Sequence, residues 1–291
     1  MFVIIGVLVV IGSVLGGYVM HHGKIALLNQ PNEFVIIFGA AVGQLLIGTP
    51  LPTVMKLLKQ MGDVMKPGLQ KGDYADLLAM LYQLFRLAQQ TGIMALEGHF
   101  ENPKESAILS RYPKFLSRHE SLDFLSDSIK VIIVGGMAPH DLEALMDEDL
   151  YVHHHEAKAP SGALAKMADA FPGLGIVAAV LGVVITMQAI DGPPSEIGEK
   201  VGAALVGTFL GILLSYGIFG PLATIIETRV DDEGNYEKCI KAGVLATFKG
   251  LPPAIAIEFA RRVLPHQVRP SFEETEKFCK AAGKPEAAAA A

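Results

Sequence analysis

The residues of this chain that could do chemistry, or position it, fall into a few groups. Asp169 and Pro172 stand three residues apart at the mouth of one apolar run, and Pro221 interrupts another. A proline inside a helix has no N–H to donate and crowds the carbonyl four residues back, so it bends the helix and frees an acceptor. At the first turn the same residue costs nothing, which is the bland reading of Pro172. Pro172 and Pro221 fall at a similar depth in antiparallel runs, the layout of a hinge or gate. Small residues recur at close-packing spacing: Gly12–Gly16, Gly39–Gly43 and Gly207–Gly211 are GxxxG pairs, and Gly175–Ala179 continues the theme. Such spacing lets helix backbones approach in lipid. His153, His154 and His155 are adjacent and point in different directions on a helix, so they read as a pH-sensitive surface rather than a metal site. His21 and His22 read as interfacial. Cys239 and Cys279 belong to no CxxC pair, and neither a metal nor a disulfide is expected.

These groups are set in two kinds of material. The chain has 291 residues, 51% hydrophobic and 19% charged. Residues 1–20, 34–55, 170–190 and 201–226 contain no Asp, Glu, Lys or Arg, so every charge lies in the remainder. A bilayer core needs about 20 apolar residues per helix, and four spans follow: 1–21, 34–52, 170–190 and 201–226. The first lacks basic residues ahead of its apolar run and a small-residue cleavage site, and is expected to be a retained anchor. The second is the weakest, being interrupted by Gln44, Pro50 and Pro52.

Ionisable groups inside a membrane are functional candidates by default, and none is expected inside these spans, since Asp169 and Asp191 sit at the ends of span three. A proton-carrying carboxylate would then have to come from another chain. Lys and Arg number twelve in 53–168 and ten from Glu227 onward, against Lys24 and Lys200 alone in the other links. The excess places both termini, the segment 53–168 and the tail 227–291 in the cytoplasm. The net charge of −6 and the lack of a basic, aromatic-interleaved patch argue against nucleic acid.

The aqueous part reads as helical. Leu77, Leu78, Leu81, Leu84, Phe85 and Ala88 form the stripe of an amphipathic helix over Tyr74–Leu96. Leu116, Leu122, Leu125, Ile129 and Ile132 repeat it over Phe115–Val134, and an acidic run follows over Asp141–Leu150. No alternating strand run occurs. The fold class is all-α, a multi-pass membrane protein with four transmembrane helices and a large helical cytoplasmic domain. The tail beyond Pro265 is expected to be helix and coil, ending in a frayed AAAAA.

The stretches GIVAAVLGV, VGTFLGILLSYG and PLAT, with LLAMLY, LEGHFENPKES, EALMDED, PPAIAIEF and RPSF, resemble the MotA family of bacterial flagellar stator subunits over nearly the whole chain. The resemblance implies an inner-membrane homopentamer around a MotB dimer, whose membrane aspartate carries the ion, with spans three and four lining the inner ring. Asp169, Pro172 and Pro221 match the family residues that couple ion passage to movement. Glu97 matches the glutamate that meets the rotor switch protein FliG. The family's partner arginine falls here on Gln89, while Arg86 lies one helical turn earlier and shares its face. Sodium-driven relatives place threonine hydroxyls in spans three and four, hard oxygen ligands for a hard cation. Those positions are Ala179 and Gly207 here, with only Thr208 keeping a hydroxyl, so a proton is the expected ion. No cofactor, metal or enzymatic activity is expected. The rival readings are an ExbB/TolQ-like energiser, whose members have three spans, and a non-conducting membrane scaffold.

Overall fold

The computed structural model describes residues 2–188 and 190–282, and among these no strand occurs. In chain order the helices are α1 (Phe2–Met20), α2 (Ile25–Leu28), α3 (Pro31–Gly48), α4 (Leu51–Asp63), α5 (Lys71–Thr91), α6 (Glu97–Glu101), α7 (Pro113–Leu116) and α8 (His119–Val134). Then come α9 (Pro139–Met187), α10 (Pro194–Ile212), α11 (Gly220–Phe248), α12 (Pro253–Val263) and α13 (Phe272–Ala282). A π-helical stretch, Leu213–Phe219, joins α10 to α11. Among the described residues four helical segments are long and apolar enough to cross a membrane: α1, α2 with α3, part of α9, and part of the α10–α11 rod. The terminal AAAAA lies outside the described residues.

Two compact units form. One takes residues up to Gly68 and 156–229, the other 69–155 and the chain from Val230 onward. The segment 53–168 is thus divided by packing. Residues 53–68 belong with the membrane helices because amphipathic α4 buries Val54 and Leu57 there. Lys56 pairs with Glu156 at 3.5 Å, and Gln60 Nε2 donates to the Ala157 carbonyl at 3.0 Å. Arg229 donates to the carbonyls of Asp63 and Val64, satisfying the end of α4. The core of this unit joins Ile37 and Ala41 to Leu164, Met167, Phe171 and Ile226, and Phe171 stacks on Phe219 at 4.9 Å.

The second unit is an ordinary amphipathic core. Leu77, Leu78, Leu81, Leu84 and Phe85 of α5 are buried against Phe124, Leu125 and Ile129 of α8 and Tyr236, Ile240 and Val244 of α11. Ala88 is only half-buried, because α5 stops three residues later. Gly92, at φ 91°, ends α5 before the expected Leu96, and a 3-10 turn, Ile93–Leu96, leads into α6. Cys239 and Cys279 are both buried free thiols of this unit.

Candidate functional site

Spans three and four meet backbone to backbone. A Cβ on Gly211 would stand 2.5 Å from the Phe171 carbonyl oxygen, and one on Gly175 would stand 2.7 Å from that of Gly207. Only residues without a side chain allow this approach. The Gly207–Gly211 pair is therefore used within the chain. Around Gly12, Gly16, Gly39 and Gly43 a Cβ would meet nothing within 4 Å, so those faces are left open.

Pro172 lies far inside α9, which begins at Pro139, so the first-turn reading of this proline is incorrect. The aqueous run from Asp141 and span three are one continuous helix, and Pro172 withholds a hydrogen bond from the Ala168 carbonyl. Pro221 follows the π-helical stretch, where the Gly220 N–H donates to the Ser215 carbonyl five residues back. Widening the turn in this way accommodates an interior proline without breaking the rod.

A cleft of about 510 Å³ opens beside Pro221, lined by Asp169, Tyr216 and Thr224 among others, and flanked by Lys158 and Glu227, which pair at 3.3 Å. Asp169 and Pro221 are thus brought to one place, whereas Pro172 does not line the cleft. Ala179 and Gly207 adjoin each other further along: the Ala179 nitrogen is 3.2 Å from where a Gly207 Cβ would be. Thr208 is half-buried at the same contact, its Cα 3.3 Å from a Cβ on Gly175. On the other side Ile176, Val177 and Val180 of α9 and Leu205, Ile212 and Tyr216 of the α10–α11 rod are exposed.

One ionisable group was missed. Glu33 lies one residue before the expected span 34–52, yet it belongs to α3 and is 8% exposed, so an acidic group is buried among the membrane helices although none falls inside the four expected spans. The helix starts at Pro31, three residues before the charge-free run, and Gln30-Pro31 was the signal: proline is favoured at the first helical position.

In the second unit, Arg86 is half-buried and Gln89 exposed on α5, while exposed Glu97 opens α6 beyond the Gly92 reversal. Glu97 is therefore not on the helix that carries the other two. The three adjacent histidines face different partners. His153 Nε2 lies 3.7 Å from Asp149, His154 Nε2 lies 3.4 Å from Asp231, and the His155 ring packs on Tyr151 at 5.3 Å. Among the described residues no group of three His, Cys, Asp or Glu side chains is placed to hold a metal. Burial pushes the Glu237 carboxyl up to about 7, with Glu120, Glu233 and Asp149 adding to the rise and His153 opposing it. Paired with Arg261 and Arg262 at 2.7 Å each, Glu258 is held down at about 2.

Residues 4–92 match the family model described as motility protein A N-terminal, and residues 117–237 match the MotA/TolQ/ExbB proton channel family. The chain is 42% identical to motility protein A of Salmonella typhimurium, over 98% of this chain and 97% of that one. It is 37% identical to chemotaxis protein LafT of Vibrio parahaemolyticus, over 94% and 96%. The fold is similar to that of a chain in the flagellar MotAB stator complex from Bacillus subtilis, with a TM-score of 0.72 at 21% identity over 91% of this chain and 96% of that one. For the C. jejuni MotAB structure the TM-score is 0.75 at 18% identity, over 91% and 95%.

Proposed function

Since the chain belongs to the motility protein A family, we propose that it is the multi-pass subunit of a flagellar stator, converting proton flow into torque. It sits in the inner membrane with its termini and basic segments in the cytoplasm, as the split of Lys and Arg supports. Five copies surround a MotB dimer, each partner supplying the membrane aspartate that carries the proton. Spans three and four form the inner ring.

The observation that carries this reading is the one-sided packing of those spans. Glycines close one side backbone to backbone, while the other presents Ile176, Val180, Leu205, Ile212 and Tyr216 uncovered, next to the cleft holding Asp169 and Pro221. A helix from a second protein seats on such a face, and its carboxylate changes charge there as the proton binds and leaves. Protonation weakens its polar contacts and deprotonation restores them. Pro172, like Pro160 earlier in α9, and Pro221 in α11 cannot donate a backbone hydrogen bond, so the helices bend there at low cost. Ala179 and Gly207 offer no side-chain oxygen beside the path, and Thr208 offers one, which favours a proton over sodium. Glu97, with Arg86 and Gln89, passes the motion to the rotor switch protein FliG.

The N-terminal family match and a fourth apolar span, α3, favour this over a three-span ExbB/TolQ-like energiser. The test is complementation. The chain, expressed with its MotB-like partner in a non-motile strain lacking both stator genes, restores swimming that a protonophore stops and sodium removal does not. Swimming that stops only on sodium removal overturns the choice of ion. No swimming despite co-purification of the pair overturns the stator role.

A further inference from the structure

Glu33 is the one acidic side chain buried among the membrane helices of the described chain, and its Oε2 atom is shut away from solvent without a hydrogen-bond partner. Two glycines make room for it. A Cβ on Gly207 would stand 2.5 Å from Glu33 Oε2, and one on Gly182 would stand 3.3 Å from Oε1. The carboxyl therefore fills a slot whose walls are Gly182 of α9 and Gly207 of α10, closed by Ala178 and Ala204 packing on those same glycines.

The charged and titratable groups on the surrounding elements make no hydrogen bond or ion pair with Glu33. They are His21 and His22 after α1, Lys24 before α2, Asp191 after α9, and Glu196, Glu199 and Lys200 at the start of α10, where Glu196 and Lys200 pair at 3.0 Å. None of them pairs with Glu33. An ionised carboxylate buried without a partner is strongly disfavoured, so such a group keeps its proton instead. Releasing a proton held on Oε2 requires water or a base to reach that buried oxygen, and a parting of Gly182 and Gly207 would open the slot to it.

We infer that Glu33 is a second protonation site of the ion path, carried by this chain rather than by its partner. It holds a proton while spans three and four are closed and gives it up when they separate. The step is a plain acid dissociation: the O–H bond on a Glu33 oxygen breaks, the proton passes to water in the opened slot, and a proton returns from water before the slot closes. The motion that drives this exchange is the same α9–α10 rearrangement that Pro172 and Pro221 permit. The inference rests on the proton-driven stator reading above.

The test uses the complex of this chain with its MotB-like partner, reconstituted in liposomes, comparing wild type with Glu33→Gln and Glu33→Asp. Glutamine keeps the shape of the neutral acid but cannot release a proton. The expected result is an E33Q complex of wild-type composition with proton flux about a hundredfold lower, the scale of a lost proton-transfer group. E33D is expected to keep flux with a shifted pH profile. E33Q flux and pH profile equal to wild type would make Glu33 a packing residue and overturn the inference. If E33Q does not assemble, the wild-type complex is treated with a membrane-permeant carbodiimide and Glu33 is located by peptide mass spectrometry. Modification in acidic medium that disappears in alkaline medium is expected, and modification absent or equal in both would overturn it. Wild-type flux carried by sodium instead of protons would refute the proton-driven reading on which the inference rests, whereas proton flux in wild type that E33Q leaves unchanged refutes the Glu33 inference alone.

Discussion

Replacing Gly211 by alanine tests the backbone contact on which the membrane unit depends. The added Cβ would lie 2.5 Å from the Phe171 carbonyl oxygen and 3.0 Å from the Gly175 Cα, both main-chain atoms that cannot rotate away. Reaching an ordinary contact of at least 3.4 Å requires spans three and four to part by about 1 Å. Overpacking of this kind costs about 1–3 kcal/mol, and a clash with backbone sits at the upper end. Alanine returns about 1 kcal/mol of helix propensity, which leaves a net loss of about 2 kcal/mol. For a chain of this size that lowers the melting temperature by about 4–8 °C. Gly12→Ala is the matched control, because a Cβ there meets nothing within 4 Å and the propensity gain is unopposed. Both variants are purified in the same detergent and melted while following helical circular dichroism. G211A melting several degrees below wild type, with G12A level or above, is the expected result. Equal melting of the two would refute the claim that glycine is needed for the span contact.

Three further outcomes follow from the same geometry. Pro172→Leu restores a hydrogen bond to the Ala168 carbonyl and should raise thermal stability while abolishing torque, with partner co-purification intact; normal swimming would remove the proline from the coupling. Glu97→Lys should weaken rotor engagement, read as loss of swimming with proton flux retained, and a parallel loss of flux would argue against a rotor contact. Glu237 titrates near 7 in the fold against an ordinary 4.5, so the native state binds the proton more tightly. That stabilisation is complete below about pH 4.5 and is lost as pH rises toward 7, in all about 3 kcal/mol. Glu237→Gln should flatten this slope in melts between about pH 5 and pH 8, and an unchanged slope would place the titration on another group.

Most of the architecture was legible because bilayer thickness and helical period act on local sequence. The stripe from Leu77 to Phe85 needs only its own spacing to predict a buried face, and it is buried. What was not legible depended on tertiary contact or on helix ends. Asp141–Leu150 and span three looked like separate elements because polar and apolar runs differ in composition, yet backbone hydrogen bonding is indifferent to that change and α9 runs through both. Pro172 was consequently given a first-turn reading that its true position excludes. Glu33 was overlooked because a charge marks the edge of an apolar window, although α3 begins before the window does. Which GxxxG pair is spent inside the chain could not be read from spacing, since all three have the same pattern and only Gly207–Gly211 meets a neighbour.

On the proposed function, the chain converts proton flow only together with an acidic partner helix seated against spans three and four. The measurement that tests it most directly is proton uptake by liposomes holding the complex with its MotB-like partner, beside the same complex with the partner's membrane aspartate changed to asparagine. Proton flux in the first and none in the second is expected. Equal flux in both, or flux carried by sodium alone, would contradict it.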